Sequence, residues 1–458
     1  MLPTEFCERM KTVLLSEYEE FMRALEDEPV RGARVNLLKT DEKTFSGIKK
    51  NYSATPIGYA SCGYILDRAD SVGTSPEHHS GMIYVQDPGA MATVNAVDIM
   101  PGARVLDACA APGGKSSQAA AIIGHVGFLF ANEFVPKRAK ITLGNFERLG
   151  IGSAILTSLD TKALGEMFSE YFDLAIADAP CSGEGMFRKS SLALADWSVR
   201  NIETSAKRQK EILENISGTV KPGGYLLYST CTYAIEENER VVDSFLSSHT
   251  EFSLVPVKEA LKDVTRDGIT LPDMNHSMKE ARRVYPHAVR GEGQFIALMK
   301  KDGGCAKERV LYKDSSRDVS RSDMEVVKRF FKENLKAAPE GRIRKVGENL
   351  VLIPHGCPVP EHSVFMSGVL IGEISKNILF PSHHFFSVYG RLFIRQENLL
   401  SGDSRVEKYL YGEEIEAKDA AGESGFLAVL YEGAPLGGGK VSSGRIKNHY
   451  PKGLRNKK

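Results

Sequence analysis

The sequence predicts an α/β protein built on a doubly wound, parallel sheet, with a small mixed unit before it and another after it. Three observations carry this. Between residues 84 and 301, short apolar runs alternate with helical stretches, the pattern of strands joined by crossover helices. One strand-to-helix turn, Val105–Ser117 (VLDACAAPGGKSS), consists largely of small residues. Two further strand-like runs are followed by cysteine: FDLAIADAPCSGEGMFRK (Phe172–Lys189) and YSTCT (Tyr228–Thr232). In a parallel sheet, the residues just past the strand ends gather at one edge, where ligands bind. Cys181 and Cys231 are therefore expected at one pocket, and two thiols there point to covalent catalysis with a helper.

The elements follow in order. Residues 1–83 read as a small α+β domain with a helix over Glu17–Leu25 and a short strand over Ala33–Leu38. Residues 84–301 carry strands at Arg104–Cys109, Gly127–Asn132, Ala154–Thr157, Leu174–Asp178 and Tyr225–Ser229. The intervening helices are Gly114–Ile123, Pro136–Leu149, Ile202–Val220 and Ile235–Ser247, and a late pair, Arg283–Pro286 and Gln294–Lys300, closes the sheet with a hairpin. Residues 302–323 are charged, rich in Ser and Gly and without period, which reads as a linker. Residues 324–458 hold a helix, Met324–Leu335, and several short strand-like runs, an α+β or β-rich domain. Because the strand-helix series is complete by Lys300, a chain cut after about residue 320 is expected to keep a folded cofactor site.

Composition narrows the function. With 458 residues, 42% of them hydrophobic, the chain can build two or three cores. No apolar run approaches the length of a membrane span, and MLPTEFCERMK lacks the basic start and apolar stretch of a signal peptide. The seven cysteines are scattered and form no CxxC pair, which argues against a disulfide framework and a zinc site and for a reducing cytoplasm. His78–His79 and His383–His384 lack the spacing of metal ligands, so no metal is expected. Net charge is zero, so a polyanion must be held by a local patch. The stretch from Gly437 to Lys458 offers one: Lys440, Arg445, Lys447, Lys452, Arg455, Lys457 and Lys458, no acid, and His449 and Tyr450 interleaved for stacking.

The small-residue turn reads as a cofactor loop. Small residues let the backbone approach a ligand, and the helix start favours an anionic group. A P-loop would need glycine where Cys109 stands, and a dinucleotide loop would need Gly-x-Gly-x-x-Gly, which is absent. A nucleoside ligand with a carboxylate at its far end remains, and S-adenosylmethionine fits that description. Glu133 ends the next strand, where an acid can accept from both ribose hydroxyls, with Arg138 in the helix that follows. Asp160 ends the third strand region, within reach of an adenine amino group. Either acid alone would read as a helix cap; acids after two successive strands, behind such a loop, favour a ligand.

Together, DACAAPGGKSS, DAPCSGEGMFRK, STCT, RVYPHAVRGEGQF (Arg283–Phe295), ARVNLLKT (Ala33–Thr40) and YVQDPGAM (Tyr84–Met91) strongly resemble the Sun-type RNA cytosine-5 methyltransferases. LIGEISKNILFPSHH (Leu370–His384) and KVSSGRIKNHYPKGLR (Lys440–Arg455) are similar to the RNA-binding tail of the bacterial group that acts on small-subunit ribosomal RNA. The resemblance implies a Rossmann-like class I methyltransferase fold flanked by RNA-binding domains. It implies that Cys109, Ala110, Ala111, Pro112, Gly113, Gly114 and Lys115 hold the methionine end of the cofactor. Glu133 matches the ribose acid, Asp160 the adenine-side acid, and Asp178 the acid that faces both cofactor and target base. Cys231 matches the nucleophile and Cys181 the second cysteine, linked to product release.

The implied chemistry is attack of the Cys231 thiolate on cytosine C6, which makes C5 nucleophilic enough to take a methyl group. Asp178 would either donate to the base edge when protonated or accept from the exocyclic amine. Lys115 would lower a thiol pKa or bind the cofactor carboxylate. The expected substrate is 16S ribosomal RNA, free or in the small subunit, with transfer RNA as runner-up; the expected state is a cytoplasmic monomer. A DNA methyltransferase would use the cysteine after proline, Cys181, and an assembly factor would bind RNA without the cofactor loop.

Overall fold

The computed structural model describes residues 2–67, 71–354 and 356–457; Lys458, one of the tail's basic residues, lies outside the described residues. The chain opens with two helices, Thr4–Leu14 and Tyr18–Glu26, the second where the sequence predicts one. A four-stranded antiparallel sheet follows, with Arg31–Val35 between Gly63–Leu66 and Ile83–Val85. The helices pack Phe6 and Phe21 onto Phe187, Tyr233 and Tyr285, beside the two cysteine loops.

The α/β body is a mixed ten-stranded sheet. Its parallel strands are β1 (Arg104–Asp107), β2 (Phe128–Asn132), β3 (Ala154–Thr157), β4 (Phe172–Asp178) and β5 (Val220–Thr230). They lie in the order β3-β2-β1-β4-β5. Helix α1 (Gly114–Ile123) connects β1 to β2, and α2 (Pro136–Leu149) connects β2 to β3. Chain direction across the sheet reverses between β1 and β4, so a crevice opens at the carboxyl ends of those strands. The late hairpin forms as expected: β6 (Gln294–Lys301) pairs antiparallel with both β5 and Arg282–Val284. β1, β2 and β4 are apolar because both faces are covered. Leu106, Phe130 and Ala175 pack on one side, Val105, Leu129 and Ile176 on the other.

Two features depart from the sequence reading. The stretch after β6 is not a free linker: Arg309–Val310 pairs with Phe168–Ser169, and the Tyr312 hydroxyl donates to the Pro358 carbonyl at 2.9 Å. The C-terminal unit also contributes to the body itself. Its strand β7 (Val364–Ser367) pairs antiparallel with β3 and closes that edge of the sheet. Val351, Ile353, Cys357 and Val359 are buried in the same core as Phe130 and Phe172. The parallel strand-helix series is complete by Lys301, but the C-terminal unit adds an edge strand and core residues to it, so a chain cut near residue 320 loses part of the body.

The rest of the C-terminal unit comprises helix Arg321–Asn334, a four-stranded antiparallel sheet and a five-stranded sheet. The five-stranded sheet shares one core with the N-terminal sheet, where Val35, Tyr64 and Met82 join Leu399, Tyr409 and Tyr450. Lys39 is threaded between the units, its ammonium donating to the carbonyls of Ser387 (2.6 Å) and Pro435 (2.7 Å) and to the Ser387 hydroxyl (2.9 Å). Burial lowers its pKa well below the usual lysine value.

Tyr450, expected as a stacking platform, is 1% exposed: it packs on Tyr409 and bonds His79 Nδ1 through its hydroxyl at 2.8 Å. A tyrosine has an apolar body with one polar tip, and here the fold uses both inside. His449, Lys440, Arg445, Lys447, Lys452 and Lys457 are exposed.

Candidate active site

The crevice between β1 and β4 collects the residues singled out in the sequence. β1 ends at Asp107, and the turn Ala108–Gly113 leads into α1. Ala110 and Ala111 are buried, and the Ala110 N–H donates to the Asn132 carbonyl at 2.8 Å, which ties the turn to the end of β2. Gly113 takes φ +108°, open to glycine, and a Cβ there would meet Phe146 at 3.3 Å. The start of α1 is held from the N-terminal sheet: the buried Arg34 guanidinium donates to Ser117 Oγ at 2.8 Å.

Asp107 is a site residue that the sequence reading passed over. It is fully buried, accepts from Ser116 Oγ at 2.5 Å and from the Cys109 N–H at 3.2 Å, and so braces both ends of the turn. Burial, opposed by the Ser116 hydrogen bond, pushes its carboxyl up to about 7. The unfolded value is about 4. A folded pKa raised in this way contributes stability that is complete below the unfolded value and is lost as pH climbs through the folded one. Glu237, pushed up to about 7 by burial, acts in the same sense. Asp107→Asn keeps an acceptor for Cys109 and cannot ionise. Its stability relative to the wild type should rise by ~1–3 kcal/mol between pH 5 and pH 8 in urea titrations. A flat or opposite difference would mean that Asp107 is ionised in the fold.

The two cysteines meet. Cys181 Sγ and Cys231 Sγ are 3.3 Å apart, both half-buried, at the ends of the neighbouring strands β4 and β5. Their hydrogen bond and burial hold the Cys181 thiol well above its usual value. Asp178 stands on the same edge. Its Oδ2 takes the Lys115 ammonium at 2.8 Å; its Oδ1 accepts from Ser229 Oγ at 2.8 Å and from Gln294 Nε2 at 3.5 Å. Lys115 is thus paired with Asp178, and Ser229 and Gln294 join the site as residues the sequence reading missed. Ser229 was legible as the residue that precedes TCT; Gln294 was not, since only the antiparallel return of β6 brings it in. Cys109 is a third thiol at this edge, and burial with Asp107, Asp178 and Glu133 nearby raises its pKa far above normal. It is fitted to remain a thiol rather than to attack.

Glu133 ends β2 as expected and is 3% exposed. Its Oε1 accepts from the Val135 N–H at 2.9 Å and from Arg138 at 3.4 Å, and Arg138 also donates to the Ala111 carbonyl at 3.1 Å. Asp160, after β3, caps a short helix, with Oδ1 accepting from the Ala163 N–H at 2.8 Å, and it is exposed. The small-residue turn, the helix start and the buried carboxylate at the next strand end form a donor and acceptor set that fits a nucleoside bearing an amino-acid end. Cys109–Lys115 would hold that end and Glu133 the ribose.

A cleft of about 1130 Å³ lies elsewhere, with Tyr52, Glu77, Ser401 and Tyr431 in its lining and no cysteine. Among the described residues, no group of three or more His, Cys, Asp or Glu is arranged to hold a metal ion. No helix among them is long and apolar enough to cross a membrane.

Residues 94–300 match the family model of 16S rRNA methyltransferase RsmB/F, 2–88 the N-terminal domain of 16S rRNA methyltransferase RsmF, and 397–456 the methyltransferase RsmF PUA domain. Ribosomal RNA small subunit methyltransferase F of Aeromonas salmonicida is 29% identical over 473 residues, covering 99% of this chain and 97% of the relative. Its counterpart in Vibrio campbellii is 29% identical over 476 residues, with the same coverage. The solved structure of a methyltransferase homolog protein from Pyrococcus horikoshii superposes with a TM-score of 0.58 at 30% identity, covering 65% of this chain and 95% of that one. Matched from its N-terminal unit through its catalytic sheet to its C-terminal unit, the chain belongs to the RsmB/F family of methyltransferases, whose cofactor is S-adenosylmethionine.

Proposed function

We propose that this chain methylates C5 of a cytosine in 16S ribosomal RNA through a covalent bond between Cys231 and C6 of the base. The observation that carries the reading is the pair of sulfurs, 3.3 Å apart, beside the Lys115–Asp178 ion pair at the mouth of the cofactor turn. The substrate assignment rests on the relatives, which are named for small-subunit ribosomal RNA, and on the match to their C-terminal domain.

Bound S-adenosylmethionine supplies an electrophilic methyl group. The residues of the chain do the rest. Cys231 gives up its proton to water and adds to C6 as the thiolate, while Cys181 keeps its own proton and donates a hydrogen bond across the 3.3 Å contact. Addition pushes electron density to C5, the atom that gains the methyl group. Both Asp178 oxygens already accept hydrogen bonds, so Asp178 meets the base as an acceptor for its exocyclic amine rather than as a donor. Once Cys231 is a thioether, it no longer accepts a hydrogen bond from Cys181 or repels a second negative charge. Cys181 can then lose its proton to water, and its thiolate takes the C5 proton as the C6–sulfur bond breaks and Cys231 leaves as a thiolate. In this reading Cys231 acts early and Cys181 late, and the contact between the two sulfurs supports their sharing one site.

The base must leave its stack to reach this edge, at a cost of roughly a few kcal/mol. The flanking units, 1–83 and 324–458, grip the RNA around the catalytic body 84–301, to which 302–323 straps the C-terminal unit. Exposed Lys440, Arg445, Lys447, Lys452 and Lys457 suit phosphate contact. The protein works as a monomer in the cytoplasm. Bisulfite sequencing of 16S ribosomal RNA from cells with and without the gene tests the reading: one or more cytidines should lose protection in its absence. An unchanged pattern in ribosomal RNA, with loss in transfer RNA, would reassign the substrate.

Glu133 holds the ribose in this reading. Glu133→Ala removes hydrogen bonds to a charged acceptor, each worth about 1.5–3 kcal/mol. Calorimetry should show cofactor affinity weakened roughly ten- to a hundredfold. An unchanged dissociation constant would leave Glu133 only its bonds to Val135 and Arg138.

A further inference from the structure

Two acids with no part in the chemistry above stand behind the cysteine pair. Glu184 follows Cys181 and Glu237 follows Cys231, and both are almost wholly buried. Each reaches across to the other cysteine's loop. Glu237 Oε2 accepts from the backbone N–H of Ser182, next to Cys181, at 2.9 Å, and its Oε1 accepts from the Ser182 hydroxyl. Gln209 Nε2 steadies this arm, donating to Glu237 Oε2 at 2.8 Å and to the Pro180 carbonyl at 3.0 Å. In the opposite sense, Glu184 Oε2 accepts from Thr232 Oγ1, next to Cys231, at 2.9 Å and from the Tyr233 N–H at 2.9 Å. Trp197 Nε1 donates to Glu184 Oε1 at 2.9 Å. A Ser182–Thr232 hydroxyl contact of 2.8 Å and a Gly185 N–H bond to the Cys231 carbonyl at 2.9 Å tie the two loops directly.

Burying a carboxylate is costly unless every oxygen is satisfied, and an apolar filling would be the cheaper way to pack these loops. What apolar packing lacks is direction. Hydrogen bonds from backbone N–H groups fix a loop in register: Ser182, next to Cys181, is held by its N–H, and Cys231 is followed by Thr232, held by its hydroxyl, and Tyr233, held by its N–H. We propose that Glu237 and Glu184 are reciprocal positioning residues: Glu237 sets the place of Cys181, and Glu184 sets the place of Cys231. This rests on the covalent reading and adds a division of labour to it. The two sulfurs must be close, yet only Cys231 may reach C6 first and only Cys181 may reach the C5 proton later. Holding each loop from the other couples their spacing without joining the sulfurs.

The division makes an asymmetric test. RNA carrying 5-fluorocytidine reports attack, because the fluorine blocks the later proton removal and leaves the enzyme trapped. RNA with ordinary cytidine reports release, through any adduct that survives denaturation. Glu184→Ala is expected to slow trapping about 10- to 100-fold, the scale of misplacing a reacting group by an ångström. It should leave no stalled adduct on ordinary RNA. Glu237→Ala should trap at a rate within threefold of the wild type, yet accumulate a stalled adduct on ordinary RNA while turnover falls about 10- to 100-fold. Cofactor affinity should stay within twofold in both. Glu184→Gln and Glu237→Gln keep one acceptor oxygen and should show smaller effects in the same directions, and they carry the test where an Ala variant does not fold. Equal effects of the two positions on trapping, or none, would overturn the proposal. Wild-type protein that fails to trap at all would instead refute the covalent reading on which it rests.

Discussion

Cys231→Ala is expected to lose methyl transfer by roughly 10⁴-fold or more, the scale of removing a nucleophile from a set of residues that act together. The loss should be specific to the chemistry. Cys231 is not among the residues that brace the cofactor turn, so calorimetry should give a near-normal cofactor affinity and thermal melting a near-normal Tm. Wild-type protein should form a denaturation-resistant adduct with 5-fluorocytidine RNA, and the variant should form none. Cys181→Ala should behave differently: attack remains and release fails, so an adduct builds up on ordinary RNA. Removing Cys181 also deletes the donor that steadies the Cys231 thiolate, so its attack should be slower than wild type and not absent. Turnover surviving in Cys231→Ala would sink the nucleophile assignment, and adducts in that variant but not in Cys181→Ala would reverse the two roles.

A chain ending near residue 320 should not fold to a cofactor-binding unit. The cut removes β7 from the edge of β3 and takes Val351, Ile353, Val359 and Met366 out of the two cores that sandwich the catalytic sheet. At about 1.5–3 kcal/mol for each fully buried side chain, these four account for roughly 6–12 kcal/mol. That is comparable with the entire stability of an ordinary domain, about 5–15 kcal/mol. The cut also strips Lys39 of Ser387 and Pro435 and opens the core that the N-terminal sheet shares with Tyr409 and Tyr450. Circular dichroism melting should show Tm lowered by more than ~10 °C or no cooperative transition, and calorimetry no cofactor binding. A truncated chain that melts within a few degrees of full length and binds the cofactor would show that the C-terminal unit is dispensable to the fold.

The reversal of the truncation expectation shows where sequence stops. The sequence by itself determined what is local. Alternating apolar runs and helical stretches placed β1 to β4, α1 and α2 to within two residues and the second half of β5, because strand and helix periods are written in neighbouring side chains; the short helices Thr161–Met167 and Ser191–Asp196 went unread. It also placed the chemistry at strand ends, since a small-residue turn and a cysteine after an apolar run carry their meaning in a short span. Only the tertiary structure decided what depends on distant partners. The short strand-like runs of residues 324–458 read as strands of their own unit, and nothing in Val364–Ser367 says that it pairs with β3. Lys39 carries no signal of burial and Tyr450 reads as a stacking ring; burial of either needs carbonyls and rings from far along the chain. Nothing in the sequence singles out Asp107, Glu184 or Glu237 until the fold sets them against loops that hold the cysteines. Hydrogen bonds across tens of residues form only when the whole core closes, and the spacing of Cys181 and Cys231 is a product of that closure.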